Sequence, residues 1–443
     1  MSAFNFGATC AALLCALALS SPVSAAVHPL GEVPASSPGS ADSANGANGA
    51  NGTSGPADSL DPQLSRGLVF RCTDAQRDAL KRDVPRYLDA LGATLSEVIT
   101  RDLPDQQTLV FTLKPRVADA LSPQVSASTT LDFASQPRRW VYDDEVPLPS
   151  AAYPARRVLT VSQREIALAL MNAGRVSEFS GSACSVAALR EHIGLRQNIV
   201  AWAENLTFRW PDGGAASWNT RLWRDGTPRS RHLTAAALRD VLRHPERYFL
   251  GCYTTAKLVI AAATFDYYDR VLGDKAKAQL VLERLRSNGD PLTRIEPRAM
   301  WAFEPDFDQR ELNDPGKLLR LTRDVAPENF VPGDWAYFYN TDEASHAKTG
   351  YEGSNAIYLG RGRFSDYYND NARAYTYDQK LDEVYQWRHG VFSRSRNKEE
   401  VEALAPSALR ALGQPPHSGG FVMTYRATPY FFGHESLPTV PRD

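Results

Sequence analysis

Hydrophobic positions along this chain follow helical spacing in some segments and strand spacing in others, and the two kinds of segment are interleaved. Apolar residues three or four apart behind a polar capping residue predict helices, and short β-branched or aromatic runs predict strands. The predicted helices are 73–91, 162–176, 235–243, 252–273 and 275–287, and the predicted strands are 108–113, 139–142, 206–210, 216–219, 334–339 and 355–359. The order indicates a mixed first part and an α+β second part, with helices preceding strands.

Two of these elements carry specific boundary signals. Ser162 followed by Glu165 fits a capping box at the start of the second helix. Pro211 to Gly214 separates two short strand-like runs, so we predict that 206–210 and 216–219 pair as a hairpin.

The N-terminal 26 residues have the pattern of a signal peptide. Ala11–Leu19 is apolar but too short to span a bilayer, and small residues near Ala25 and Ala26 suit cleavage there. The stretch 27–62 is rich in Ser, Gly, Asn, Ala and Pro and lacks the apolar content of a core, which predicts a disordered linker. We therefore expect a secreted or periplasmic protein whose mature chain has no stable membrane span.

Composition and charge narrow the class of partner. The 443 residues are 43% hydrophobic and 23% charged, which is ordinary for globular proteins and sufficient for two cores. We divide the folded part into a mixed α/β region at 63–232 and a second domain at 233–443. The formal net charge of -2 argues against a nucleic-acid partner, because phosphate binding needs a basic excess.

The cysteines predict one disulfide and one free thiol. Five cysteines are present, and Cys10 and Cys15 fall within the predicted signal peptide. In an oxidising compartment, two of the other three are expected to pair. Cys72 and Cys184 lie in polar contexts of the first region, whereas Cys252 opens an apolar helical run, so we predict a Cys72–Cys184 disulfide.

Cys252 is the candidate nucleophile. It follows Gly251 and begins a predicted helix, and the free N–H groups and dipole at a helix N-terminus stabilise a thiolate. A partner for the sulfur has to come from another part of the chain, usually from a strand packed beside the helix.

Three stretches resemble a known family in their order and spacing. They are CYTTAKLVI at 252–260, GDWAYFYNTD at 333–342 and EGSNAIYLGRGRF at 352–364. The second and third resemble the strand pair of NlpC/P60 cysteine peptidases, and all three are similar to the bacterial protein-glutamine gamma-glutamyltransferases. The resemblance covers about 233–389. It implies an α+β papain-like fold with no metal and no organic cofactor.

The chain departs from the family at both expected partners of the cysteine. The transglutaminases have a Gly-Glu-Asn strand whose glutamate pairs with the cysteine, and here that slot holds Ser354. The slot of the family's later histidine holds Tyr367. Because alternate strand residues share a face, we expect Glu352 or Ser354 to point at the sulfur, with Asp366 as a third member.

The resemblance implies a cysteine acyltransferase that acts on glutamine and lysine side chains of proteins, such as cell-envelope proteins or peptidoglycan peptides. Trp335, Tyr351 and Tyr367 are the candidate substrate-binding residues, because aromatic side chains can shield a thioester from water. Two alternatives remain. One is an NlpC/P60-type cell-wall peptidase or amidase, and the other is a papain-fold pseudoenzyme that acts as a binding module.

Overall fold

A computed structural model describes residues 67–93, 95–114, 143–150, 156–172, 176–211, 214–224, 226–287, 319–323, 330–365, 367–368, 374–392, 404–414, 420 and 422–429. All of them belong to one unit, Ser59–Asp443. The predicted signal peptide, the predicted linker, the predicted strand at 139–142 and Asp366 lie outside the described residues.

The first layer is a four-stranded sheet with its helices. Its elements are β1 (Gly67–Arg71), α1 (Asp74–Ala90), β2 (Val98–Leu103), β3 (Thr108–Leu113) and β6 (Val176–Ser180). The strand order is β2-β3-β1-β6, with β1 antiparallel to β3 and parallel to β6. The predicted helix at 73–91 and the predicted strand at 108–113 are thereby confirmed.

Between β3 and β6 lies a small ribbon followed by a helix. Strand β4 (Asp143–Leu148) pairs antiparallel with β5 (Arg156–Val161), and α2 (Gln163–Leu170) follows. The Ser162 side chain accepts a hydrogen bond from the backbone N–H of Glu165, as the capping signal predicts.

Helix α2 ends six residues earlier than the sequence predicts. Its last residue is Leu170, and the carbonyl of Met171 accepts hydrogen bonds from the Leu113 N–H at 2.9 Å and the Thr112 hydroxyl at 3.3 Å. Strand β3 therefore takes the acceptor that the next helical turn would have used.

Four helices build the core against which the site rests. They are α3 (Val186–Asn205), α4 (Thr234–Arg243), α5 (Cys252–Asp266) and α6 (Lys275–Ser287), with a π-helical turn at Tyr267–Val271 after α5. Every residue of α5 is buried, and α3, α4 and the main sheet pack around it. At its far end, Asp266 accepts hydrogen bonds from Trp202 and Asn198 of α3, which fixes α5 along its length.

The predicted hairpin at 206–219 is wrong. Arg209 and Ser217 each form a bridge with Phe249. Both segments exchange backbone hydrogen bonds with 248–250, at distances of 2.9–3.1 Å. A third segment, the one that leads into Cys252, therefore takes the bonds that a local hairpin would have used, and the short ribbon of β7 (Trp223–Arg224) and β8 (Thr227–Pro228) follows.

The main sheet has six strands in the order β13-β12-β11-β10-β14-β9, and each neighbouring pair is antiparallel. The strands are β9 (Leu319–Arg323), β10 (Trp335–Asn340), β11 (Gly353–Gly360), β12 (Arg363–Ser365), β13 (Ala374–Thr376) and β14 (Val422–Pro429). Its helices are α7 (Glu343–His346), α8 (Tyr377–Arg388) and α9 (Pro406–Leu412). This confirms the predicted α+β papain-like arrangement of a cysteine-bearing helix against an antiparallel sheet.

The two central strands divide the core into two faces. Trp335, Ile357 and Leu359 join the hydrophobic cluster around α5. Ala336, Phe338, Ala356 and Tyr358 join a second cluster with residues of α8. Because neighbouring strand residues point to opposite faces, odd-numbered positions of β10 and β11 lie toward α5 and even-numbered positions lie toward α8.

A buried ion pair holds α3 to the start of β10. Arg196 contacts Asp334 at 2.7 Å, and both side chains are fully buried. Arg196 also donates to the Pro332 carbonyl at 3.1 Å and to His192 at 2.7 Å. Gly333 has φ +90°, and a Cβ there would lie 3.3 Å from Arg196, so the Pro-Gly-Asp turn is shaped by its contact with α3.

The predicted disulfide is confirmed. Cys72 and Cys184 are bonded, with their Cα atoms 5.8 Å apart, and the bond joins the end of β1 to the start of α3. Hydrophobic residues on both sides of position 232 share one cluster, and the division at 232 stays a prediction. None of the helices within the described ranges combines the length and apolar character needed to cross a membrane.

Candidate active site

Cys252 is the first residue of α5, and Gly251 is its N-cap. The cysteine is 2% exposed, and it is the free thiol among the cysteines that the structure describes. Its sulfur therefore lies at the positive end of a buried helix, where backbone N–H groups lack intrahelical acceptors. This location favours the thiolate and provides hydrogen-bond donors for an oxyanion.

The sulfur is held by the first residues of β11. The backbone N–H and the side-chain Nδ2 of Asn355 each donate a hydrogen bond to Cys252 Sγ at 3.4 Å. The thiol contacts the carbonyl of Gly353 at 3.8 Å. The indole N–H of Trp335 donates to Asn355 Oδ1 at 2.9 Å, which orients the amide so that its NH₂ group faces the sulfur.

The hydrogen-bonding pattern of β11 explains why the Cys252 sulfur lies beside Gly353 and Asn355. The even-numbered residues of β11 exchange backbone hydrogen bonds with β10, as Tyr358 does with Gly333 and Asp334. The backbone N–H and C=O groups of Gly353 and Asn355 therefore point away from β10, toward the opposite edge of β11. Along that edge, pairing with β12 begins only at Tyr358. The sulfur occupies this open edge.

Gly353 is required by close packing. A Cβ at this position would lie 2.6 Å from the ring of Tyr337 and 2.7 Å from the carbonyl oxygen of Phe338. Any larger residue would push the strand away from β10 and move the Asn355 donors relative to Cys252.

Ser354 lies on the opposite face of the strand. Its hydroxyl donates to Glu383 at 2.7 Å and accepts from Lys380 at 3.0 Å, and these two side chains form an ion pair at 3.1 Å. All three residues are buried, and Lys380 also lies over the ring of Tyr375 at 4.1 Å. The expectation that Ser354 points at the sulfur is corrected, because strand alternation directs residue 354 toward α8 and residue 355 toward α5.

Glu352 precedes β11 and anchors a turn. It is 4% exposed, and both carboxylate oxygens accept the backbone N–H of Gly350, at 3.0 and 2.9 Å. Burial, with the charge of Glu352 as a second cause, raises the pKa of Tyr339. Gly353 is the first residue of β11, and the Glu352 carbonyl before it still accepts the N–H of Asn340, the last residue of β10, at 2.9 Å. Its catalytic role stays a prediction.

The three predicted substrate-binding aromatics are all buried. Trp335 packs on Tyr253 with ring centroids 4.8 Å apart, directly beside the sulfur's donor Asn355. Tyr351 donates its hydroxyl to the Phe392 carbonyl, and Tyr367 accepts the Phe208 N–H with its own carbonyl. Their contact with a substrate stays a prediction.

A partly exposed tryptophan, Trp210, was not identified from the sequence. Its ring packs edge-on against Tyr351, 6.4 Å away, and against Tyr368, 5.2 Å away. Tyr368 in turn donates to the Leu250 carbonyl, two residues before Cys252. Trp210, from the first predicted domain, is therefore linked through Tyr368 to the segment that leads into Cys252.

Three further residues of the site were missed. Asn355, Lys380 and Glu383 were not predicted to take part. For Asn355 a signal existed, since it follows Ser354 directly in the strand that resembles the family motif. For Lys380 and Glu383 the sequence offered none, because their meeting with Ser354 depends on how α8 packs on the sheet.

The described part of the chain contains no group of three or more His, Cys, Asp or Glu side chains placed to hold a metal ion. The assembled chemistry is a thiol at a helix N-terminus with amide donors on its sulfur.

Comparison with known proteins identifies the family of the chain. A family model described as protein-glutamine gamma-glutamyltransferase matches residues 153–388, more than half of the chain. Among solved structures, the chain is similar to a transglutaminase from Geobacillus stearothermophilus (without C-terminal extension), with 16% identity and a TM-score of 0.33 over 55% of this chain and 93% of that one. No curated protein sequence matches this one. The extent of the family match establishes that the chain belongs to the protein-glutamine gamma-glutamyltransferase family, whose members are cysteine acyltransferases.

Proposed function

We propose that this protein is an exported protein-glutamine gamma-glutamyltransferase that joins glutamine and lysine side chains of proteins through a thioester on Cys252. The observation that carries the proposal is the buried thiol at the first residue of α5, with N–H donors from Asn355 on its sulfur. A cysteine in such surroundings is suited to attack an acyl carbon.

The proposed reaction proceeds in two steps. The Cys252 thiolate attacks the carbon of a glutamine carboxamide, the leaving nitrogen of the tetrahedral intermediate takes up a proton from solvent, and the C–N bond breaks to release ammonia. A lysine amine then attacks the thioester and loses a proton, and the C–S bond breaks to return the thiolate. Backbone N–H groups at the start of α5 stabilise the negative oxygen in both steps.

Export and an envelope substrate belong to the same proposal. The disulfide between Cys72 and Cys184 supports export, because such bonds persist in oxidising compartments. The N-terminal pattern of the sequence supports cleavage near Ala25 or Ala26. We expect the substrates to be proteins of the cell envelope or peptidoglycan peptides.

Replacement of the nucleophile tests the activity. Cys252→Ala should abolish incorporation of a labelled amine into a glutamine-containing protein, while the free energy of unfolding changes by about 1 kcal/mol or less because one small residue replaces another. The assay is run with the intact protein, and urea denaturation monitors stability.

A parallel assay on peptidoglycan peptides separates the alternatives. Hydrolysis that depends on Cys252 without amine incorporation would indicate a peptidase. If the wild-type protein and Cys252→Ala are equally inert on both substrates, the enzymatic proposal fails and a binding role for the fold leads.

A further inference from the structure

In this chain the residue beside the sulfur is an asparagine. Asn355 approaches Cys252 Sγ with two different N–H groups, one from the backbone and one from the side chain, each at 3.4 Å. The residue is 3% exposed, so bulk water does not replace these bonds.

The orientation of the Asn355 amide is set by a second residue. Trp335 donates its indole N–H to Asn355 Oδ1 at 2.9 Å, and an indole nitrogen can only donate. The oxygen of the amide is therefore directed at Trp335, and the NH₂ group is directed at the sulfur. Tyr253, which follows the nucleophile in α5, packs against the Trp335 ring and fixes its plane.

We propose that Asn355, oriented by Trp335, stabilises the thiolate of Cys252. In this assignment Asn355 is a catalytic residue because it touches the reacting atom, and Trp335 is a positioning residue. Hydrogen bonds donated to a charged atom favour the charged form, and two donors in a buried site favour it strongly.

The assignment rests on the proposed role of Cys252 as nucleophile. The proposed role of Asn355 is not general acid–base catalysis, since an amide neither takes up nor gives up a proton near neutral pH. A proton lost by the incoming amine then has to go to solvent or to another residue, and Asn355 acts on the sulfur alone.

Several titratable side chains lie on the elements packed around the sulfur, and they are the same in every variant. Helix α5 carries Tyr253 and Lys257, and α3 carries His192 and Arg196. Tyr337 lies on β10, with Asp334 just before it. Around β11 lie Glu352, Tyr358 and the Lys380–Glu383 pair. Because none of them is changed, a difference between variants reports on Asn355 or Trp335.

The test measures the pH at which the thiolate forms. The ultraviolet absorbance of the thiolate is followed against pH for the wild-type protein, Asn355→Ala, Asn355→Asp and Trp335→Phe, each with its own Cys252→Ala partner subtracted. This readout needs no reagent to reach the buried sulfur. Asn205→Ala is the control, because it removes a half-buried asparagine that bonds to Ala201 and Arg156 at the end of α3.

We expect the midpoint to rise by about one pH unit in Asn355→Ala, which is about a tenfold loss of thiolate at a fixed pH below it. Asn355→Asp should raise it further, since a carboxylate repels the thiolate. Trp335→Phe should raise it by a smaller amount, and Asn205→Ala should leave it unchanged.

Unchanged midpoints in folded Asn355→Ala and Asn355→Asp would overturn the proposal. Thermal denaturation identifies any variant that does not fold, and the nearly isosteric Asn355→Asp then decides. A purely structural role would lower the melting temperature with no change in midpoint. Since the midpoint is measured without substrate, failure of this proposal is distinguishable from failure of the acyltransferase activity, which amine incorporation by the wild type reports.

Discussion

At the scale of single residues, the site is defined by which face of β11 each side chain occupies. Asn355 contacts the nucleophile, and its neighbour Ser354 contacts Glu383 and Lys380 on the far side. Ser354 and Asn355 are adjacent in the stretch that resembles the family motif, so the sequence alone does not say which of them meets the sulfur. The pleat of the strand separates them completely.

Glu352 is the remaining carboxylate close in sequence to the nucleophile's strand. If it is the base or orients one, Glu352→Gln should reduce the rate of amine incorporation by about a hundredfold or more, because general acid–base groups contribute on that scale. The measurement is kcat/KM with the melting temperature of each variant recorded alongside.

Glu343→Gln provides the matched control, since Glu343 is an exposed carboxylate on the same connection between β10 and β11. A Glu352→Gln variant that keeps full activity would show that Glu352 is neither the base nor a group that orients it.

At the scale of elements, the relation between α3 and β10 depends on the buried pair of Arg196 and Asp334. Removing one member of a buried pair leaves an uncompensated charge, which typically costs about 3–5 kcal/mol. We therefore expect Arg196→Met to lower the free energy of unfolding by that amount in urea denaturation.

Arg239→Met is the control for this prediction. Arg239 is 43% exposed and pairs with Asp269 at 2.7 Å, and exposed pairs contribute less than about 1 kcal/mol. Equal effects of the two substitutions would show that the Arg196 pair does not fix the position of β10.

At the scale of the whole molecule, the disulfide joins two segments that are 112 residues apart in sequence. Long closed loops lose much unfolded-chain entropy, so replacing both Cys72 and Cys184 by Ala should lower the free energy of unfolding by about 2–5 kcal/mol. Urea denaturation measures this loss.

The same unfolding experiment on Cys252→Ala serves as the reference, since that change removes a cysteine without breaking a disulfide. If the double variant is as stable as Cys252→Ala, the unfolded chain retains structure that the disulfide does not restrict.

Much of the architecture could be predicted because its signals are local. The helix at Lys275–Ser287, the strand at Thr108–Leu113 and the cap at Ser162 each follow from residues within one or two turns of chain. Helix α3 was missed despite its 20 residues, because 14 of them are buried and its apolar residues do not form a single stripe. Helix α8, where Glu383 and Lys380 lie, was missed as well.

The sequence by itself determined the pairing of Cys72 with Cys184 and the family of the chain, and it singled out Cys252 as the candidate nucleophile. Each depends on residue type and order, which need no distances. Only the tertiary structure decided that Phe249 separates the arms of the expected hairpin, that Ser354 turns away from the sulfur and that Asn355 meets it. The physical reason is that a strand's face and a segment's pairing partner are set by what packs on it, and those neighbours lie far along the chain, from 26 residues for Ser354 and Lys380 to 103 for Asn355 and Cys252.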